Sequence, residues 1–483
     1  MLISSRLRLL CGIGAVSLIV PAAAPAETLR EALEAAYSSN PTLTGARSGQ
    51  RAVDENVPIA RADGLPNAGV NVTYNEQLVQ PANAFFAPNR SAGAQAQIEV
   101  PLYRGGVVRN TVRAAETRVE SGQARLRGTE ASVFSQVVGV YMDVLRDEAV
   151  VALNRNNVAV LAVNLEATRD RFDIGDLTRT DVAQSESRLA LARGQLQTAE
   201  ARLIASRENY ISLVGREPAD LQPPPPLPDL PATPDEAVET ALAENPDLEA
   251  ATIDAVASGF DVRAVRGARL PSVSLSSSGG YTNFLGSAVS QSQTNGSAAV
   301  TMTIPIFQGG RPAARVRQAQ ARQSQALENV IGTERSVIAQ TRSAFAALRA
   351  SNAVTDSSVI AVTASRLSLE GVRAENSVGT RTILDILNAE QELLNAQVQL
   401  VTARRDAYVA GFSLLAAMGR GEAEDIGIGE GVQYDPTANY QRVRAIIWDW
   451  DSDPTPQPVA GRTNGSAAQT AVVPENGVPQ LAQ

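Results

Sequence analysis

The sequence predicts an α+β membrane protein with an internal two-fold repeat, in which short strands alternate with very long helices. Three observations carry this reading. Blocks of sequence recur at a single shift of 204 or 205 residues, two pairs of segments alternate apolar with polar side chains, and two long stretches contain no proline.

Part of the N-terminus is set aside first. Arg6 and Arg8 precede an apolar run from Leu9 to Val20, and Ala24-Pro25-Ala26 supplies small residues for cleavage, so residues 1–26 read as a secretory signal peptide. The only cysteine, Cys11, lies inside it and follows Leu10 rather than a small residue, so neither a lipid anchor nor disulfides are expected. After the signal no run of about 18 apolar residues remains, so no helix is expected to span a membrane.

Composition excludes several chemistries. The chain has no histidine, and all 42 of its basic residues are arginine. A P-loop needs its lysine, a Ser-His-Asp triad its histidine, and zinc sites are built mostly from histidine and cysteine. No cofactor or metal site is expected and the chain does not read as an enzyme. Only a carboxylate-pair hydrolase stays formally open, because acidic residues are abundant. Losing the signal arginines takes the net charge from −9 to −11, an acidic balance that argues against nucleic acid as a partner.

The repeat sets the domain organisation. "ALEAAYSSNPTL" (32–43) returns as "AVETALAENPDL" (237–248), "VPLYRGG" (100–106) as "IPIFQGG" (304–310), and Leu65-Pro66 as Leu270-Pro271. "RFDIGDLTRTDV" (171–182) corresponds to "AENSVGTRTILDI" (374–386), pairing Gly175 with Gly379, Thr178 with Thr382 and Asp181 with Asp385. The first repeat therefore spans 27–215 and the second 237–420, joined by a proline-rich connector at 216–236. A tail over 421–483, rich in glycine, proline and glutamine, is expected to be mostly disordered. Its stretch at 434–453, with Trp448 and Trp450, reads either as a strap around the outside of the body or as an aromatic cluster in an unstructured tail.

Each repeat has the same order of elements. A helix after Asn-Pro runs to a proline, at Pro66 in the first repeat. Strands follow at 67–79 and 91–103, with Val70, Val72 and Tyr74 alternating in one and Ala94, Ala96, Ile98 and Val100 in the other. The second repeat offers 271–283 and 295–307, where serines leave the outward parity open. A Gly-Gly turn then opens a proline-free stretch from Gly106 to near Arg171, or from Pro312 to near Asn376. Val316, Val330, Val337 and Ala344 form one heptad column with Gln323, and Leu327, Thr341 and Leu348 a second, the pattern of a coiled coil. The chain turns at Gly175 or Gly379 and returns through helices at 178–214 and 382–418.

Four strands cannot close a barrel, and a bilayer tolerates no open sheet edge. Three chains supply twelve strands and close both sheet and helices into a tube. At the second turn, Arg381, Asp385 and Asn388 fall at i, i+4 and i+7 on one helical face. That face is either a solvated surface or a site.

These features together resemble the TolC family of outer-membrane channel proteins. The family's second-repeat tip signature, "YxVGTRTIxDVLxAxxxL", reads "NSVGTRTILDILNAEQELL" at 376–394, and its first-repeat counterpart is close to "RFDIGDLTRTDVAQSESRL" at 171–189. The resemblance covers roughly 28–420. It implies a homotrimer with a twelve-stranded barrel in the outer membrane and an α-helical coiled-coil tunnel through the periplasm. The implied function is a passive exit duct of a tripartite efflux or type I secretion system. Its tip would open on engaging a periplasmic membrane-fusion adaptor and an inner-membrane transporter, ABC-type or proton-driven.

The resemblance also implies residue roles. Asp385 matches the inward acidic ring at the constriction. Arg381 matches the arginine that links helical pairs through the positions of Thr180 and Asp181. Gly175 and Gly379, with Asp176 and Thr380, occupy the tip turns where the adaptor docks. Two departures stand out: the second ring aspartate is Asn388 here, and the latch tyrosine is Asn376. Asn388→Asp is therefore expected to tighten cation block of the pore. The "YDPxANY" stretch in the tail is similar to type I secretion members. The competing reading is a soluble periplasmic coiled-coil scaffold or adaptor.

Overall fold

The computed structural model describes residues 27–79, 89–228, 230–285, 292–428 and 433–473. The expected signal peptide lies outside these residues. Two halves of matching design follow one another. The first contains α1 (Leu29–Ser39), α2 (Pro41–Asp54), α3 (Asn56–Ala62), β1 (Asn67–Glu76), β2 (Arg90–Arg104), α4 (Val107–Asp173) and α5 (Arg179–Val214). The second contains α6 (Pro234–Glu244), α7 (Pro246–Gly267), β3 (Ser272–Leu285), β4 (Ser292–Thr303), α8 (Arg311–Ser377) and α9 (Ile383–Met418), and α10 (Thr437–Val443) lies in the tail.

The recurrent Asn-Pro has a local cause. Asn40 and Asn245 accept the first free backbone N–H groups of α2 and α7 on their side-chain oxygens, and each following proline occupies N1, where no N–H is needed. Each asparagine also donates its amide to the last turn of a returning helix, Asn40 to the Leu213 carbonyl at 2.9 Å and Asn245 to that of Ala417 at 3.0 Å. The motif is thus a cap and a splice between helices at once. Below it, Tyr141 and Tyr210 are buried, and their hydroxyls donate to the Glu27 carbonyl (3.0 Å) and the Glu27 carboxylate (2.7 Å). This ties Glu27 to the middle of α4 and to the C-terminal end of α5.

α4 and α8 are 67 residues each, about 100 Å at the helical rise. No apolar window in any described helix is long enough to cross a membrane. The two helices are buried very differently. Twenty-five residues of α4 are buried but only eight of α8. In the heptad columns Val316, Val337, Thr341 and Leu348 are buried while Leu327 is exposed. A helix of this length does not persist in water on its own propensity, so the bare wall of α8 is one that another chain covers.

The strands form one antiparallel sheet in the order β1-β2-β3-β4, leaving β1 and β4 as its edges. The register places Val70 opposite Ala96, Ala94 opposite Tyr281, Val100 opposite Leu275, and Leu275 opposite Val300. Residues facing each other across a ladder share a sheet face, so Val70, Val72, Tyr74, Ile98, Val100, Leu275, Tyr281, Val300 and Met302 lie on one side. Asn71, Thr73, Gln95, Gln97, Ser276 and Thr301 lie on the other. This fixes the parity in the serine-rich second hairpin, which alternation alone left open.

The tail departs from the disorder its composition predicts. Tyr434 donates its N–H to the Tyr37 hydroxyl, and Asn439 donates to Asp54. Further on, the Thr470, Ala471 and Val472 carbonyls accept from Arg207 and Arg155, on α5 and α4. The described tail is held both by its backbone and by side chains, with Tyr434, Ala471 and Val473 packed on the main core and Val443 buried.

Candidate functional site

Both helical hairpins end in turns of one design. Gly175 and Gly379 sit at φ +86 and +81, the left-handed conformation that only glycine adopts without strain. The following residues fold back identically. The Asp176 N–H donates to the Arg171 carbonyl at 2.9 Å, and that of Thr380 to the Glu375 carbonyl at 3.0 Å. Thr178 and Thr382 then cap α5 and α9 in full capping boxes, with Asp181 and Asp385 at N3. In the second, Asp385 accepts from both the Thr382 N–H (2.9 Å) and hydroxyl (2.7 Å). These hydrogen bonds hold the carboxyls of Asp181 and Asp385 below the usual aspartate range, so both are charged at neutral pH.

The ion pairs across the two turns have opposite polarity. In the first, Arg171 reaches forward to Asp176 at 2.7 Å; in the second, Glu375 is met by Arg381 at 2.7 Å. That contact raises the Arg381 pKa still further. Asn376 donates to the Arg381 carbonyl at 2.7 Å and so helps to hold the turn. One turn back the repeats agree: Arg169 pairs with Glu186, and Arg373 with the largely buried Glu390.

The sequence-derived residues fall into two groups. Asp385 and Asn388 lie on α9, whereas Arg381 stands in the turn before its Thr382 cap; on the same helix Ile386 joins the cluster of Leu369 of α8, and Leu387 that of Leu161, Leu165 and Leu189 of the first repeat. Asn388 is exposed but meets Arg188 of α5, and Asp385 is turned back onto its own cap at Thr382. Thr180 and Asp181 lie on the other turn, and within the described residues no hydrogen bond or ion pair joins them to Arg381. Four participants escape sequence reasoning. Glu375 holds Arg381, Arg188 donates to Asn388 Oδ1 at 2.7 Å, and Ile174 and Val378 stand 81% and 74% exposed just before the tip glycines. Only the last pair had a signal, the apolar residue preceding each repeated glycine.

A sheet with one apolar face and two open edges, continued by paired helices of which α8 keeps most of its surface exposed, matches a protomer of a trimeric outer-membrane channel. The chain belongs to the outer membrane efflux protein family, whose model matches residues 32–216 and 237–420. It is 34% identical to the outer membrane efflux protein BepC of Brucella suis, over 87% of this chain and 91% of that one. It is 26% identical to the outer membrane protein TolC of Escherichia coli, over 83% of this chain and 84% of that one. Its fold is similar to the crystal structure of a membrane protein from Pseudomonas aeruginosa, with a TM-score of 0.71, 23% identity, and coverage of 81% of this chain and 93% of that one.

Proposed function

We propose that three copies of this chain form a passive exit duct that spans the outer membrane and the periplasm and closes at the tip around Asp385. The observation that carries this is the apolar sheet face continuous across all four strands, since a soluble scaffold does not leave such a face uncovered. With no nucleotide site in the sequence, energy comes from an inner-membrane transporter reached through a periplasmic adaptor. Ile174 and Val378, lifted clear at the two turns, suit an apolar docking partner at Gly175, Asp176, Gly379 and Thr380.

In a three-fold tube the open side of α9 faces the axis, and three Asp385 carboxylates converge. Like charges held close attract multivalent cations. In this reading Arg381 leaves Glu375 for Thr180 and Asp181 of a neighbouring hairpin and holds the gate.

Block of single channels in planar bilayers by a trivalent cation tests the ring. Asp385→Asn keeps an oxygen for the Thr382 N–H but removes the charge, and it should lose most of the block. Thr382→Ala removes the cap and keeps the charge; it should retain block while costing about 1 kcal/mol of helix stability. Equal block in wild type and Asp385→Asn would return Asp385 to a purely capping role.

A further inference from the structure

We propose that residues 444–452 form an interfacial anchor that seats the tube against the phospholipid of the periplasmic leaflet; this rests on the outer-membrane reading of the sheet. α10 carries the loop to the junction of helices and barrel. Its Val443 is buried and Tyr440 packs against the Val57 and Val119 cluster, while the Arg444 carbonyl accepts a hydrogen bond from Arg61 in the last turn of α3. The same junction is marked by Arg104, the last residue of β2, which donates to the Asp63 carbonyl at 2.8 Å. The loop therefore leaves the body within a few residues of where β1 begins.

The loop is closed at its base. Arg442 makes two bonds to Asp453, at 2.9 and 3.0 Å, and a third to Asn439 at 2.8 Å. Two turns, from the Ile446 N–H to the Val443 carbonyl and from the Asp451 N–H to that of Trp448, fix the path between. At the apex Ile447, Trp448 and Trp450 are 73%, 71% and 85% exposed. Indole combines a large apolar body with one N–H donor, the chemistry of the bilayer interface rather than of bulk water. The same level of the barrel already presents Leu102 and Tyr103 at the end of β2 and Phe307 beyond β4, all exposed. The tryptophans thus continue a belt that the strands begin. Asp449 and Asp451 alternate with them, which suits zwitterionic headgroups bearing an ammonium and disfavours anionic lipid.

The chain has only two tryptophans, both in this loop, so intrinsic fluorescence reports on it alone. The full trimer would be placed in phosphatidylethanolamine–phosphatidylcholine nanodiscs with ordinary or brominated acyl chains. Emission should be blue-shifted and largely lost with the brominated lipid, and insensitive to aqueous iodide. Trp448→Tyr and Trp450→Tyr, each retaining one indole, should both keep bromine quenching. Quenching by iodide and not by bromine would overturn the proposal by placing the loop in water. Quenching by neither would overturn it by placing protein over the loop. Co-elution of trimer with the discs is read separately: a chain that fails to enter them sinks the channel reading, whereas one that enters with unquenched tryptophans sinks the anchor alone.

Discussion

Arg188 of α5 donates a 2.7 Å hydrogen bond to the side-chain oxygen of Asn388 on α9, joining the two repeats through residues 200 apart in sequence. The contact changes what the missing second aspartate means. From sequence alone, Asn388→Asp restores a second acidic ring and tightens cation block. With an arginine already in contact, the new carboxylate is neutralised as it forms. Asn388→Asp should therefore leave trivalent block close to wild type, and the tightening should appear only when Arg188→Gln is added. Asn388→Ala, which leaves the guanidinium without this acceptor, should weaken block and cost about 1 kcal/mol of tip stability. Block constants of the three variants in planar bilayers check this order.

Arg381 has two suitors. In the single chain it is held by Glu375, whereas the proposed gate puts it on Thr180 and Asp181 of a neighbouring hairpin. Removing the competitor with Glu375→Gln should lower the open probability, and Arg381→Ala should raise it, both with an intact trimer. Single-channel recording decides it: shifts in the same direction in both variants would mean that Glu375 is part of the gate and not its rival.

The fixed register makes the barrel wall testable one residue at a time. Val300 lies on the apolar face and Thr301 on the other. Arginine at Val300 should cost about 2–4 kcal/mol if the residue lies near the bilayer midplane, and arginine at Thr301 much less. Heat resistance of the trimer on gels separates the two.

A pH dependence follows from the end of α9. Beyond Gly419, burial pushes Glu422 up to about 7 from an ordinary 4.5; Asp425, Glu130 and Glu249 add to the rise and Arg127 opposes it. The folded chain keeps this proton where the unfolded chain has lost it, so stability falls as pH rises from 4.5 to about 7. The loss should amount to roughly 2 kcal/mol per protomer. Glu422→Gln should flatten the slope, as read by thermal unfolding at pH 5 and pH 8.

What the sequence disclosed was what repeats or has a period. The repeated Asn-Pro, the Gly-Gly turns and the tip glycines are local, and each was legible because one residue type meets one backbone need. The strand faces were legible in the first hairpin, where Val70, Val72 and Tyr74 alternate. They were not in the second, where Ser274, Ser276 and Ser278 lie on one face and Ser277 on the other. Arg188 and Glu375 were invisible for a different reason. An arginine or glutamate on a polar helix looks the same whether it is solvated or bonded across the tip, and only the packing of α5 against α9 brings Arg188 within reach. The tail's contacts were not legible because Tyr434, Tyr440 and Val443 find their partners on helices several hundred residues earlier in sequence.

The pairing of β2 with β3 has a genetic corollary. Both hairpins are stitched together inside one chain, so β1 and β4 alone meet the neighbours. A protomer with a spoiled edge still folds its own sheet and still enters assembly, yet the ring it joins stays open along one seam. Lesions along β4 should for that reason be dominant when co-expressed with the intact gene, whereas lesions that stop the chain from folding should be recessive.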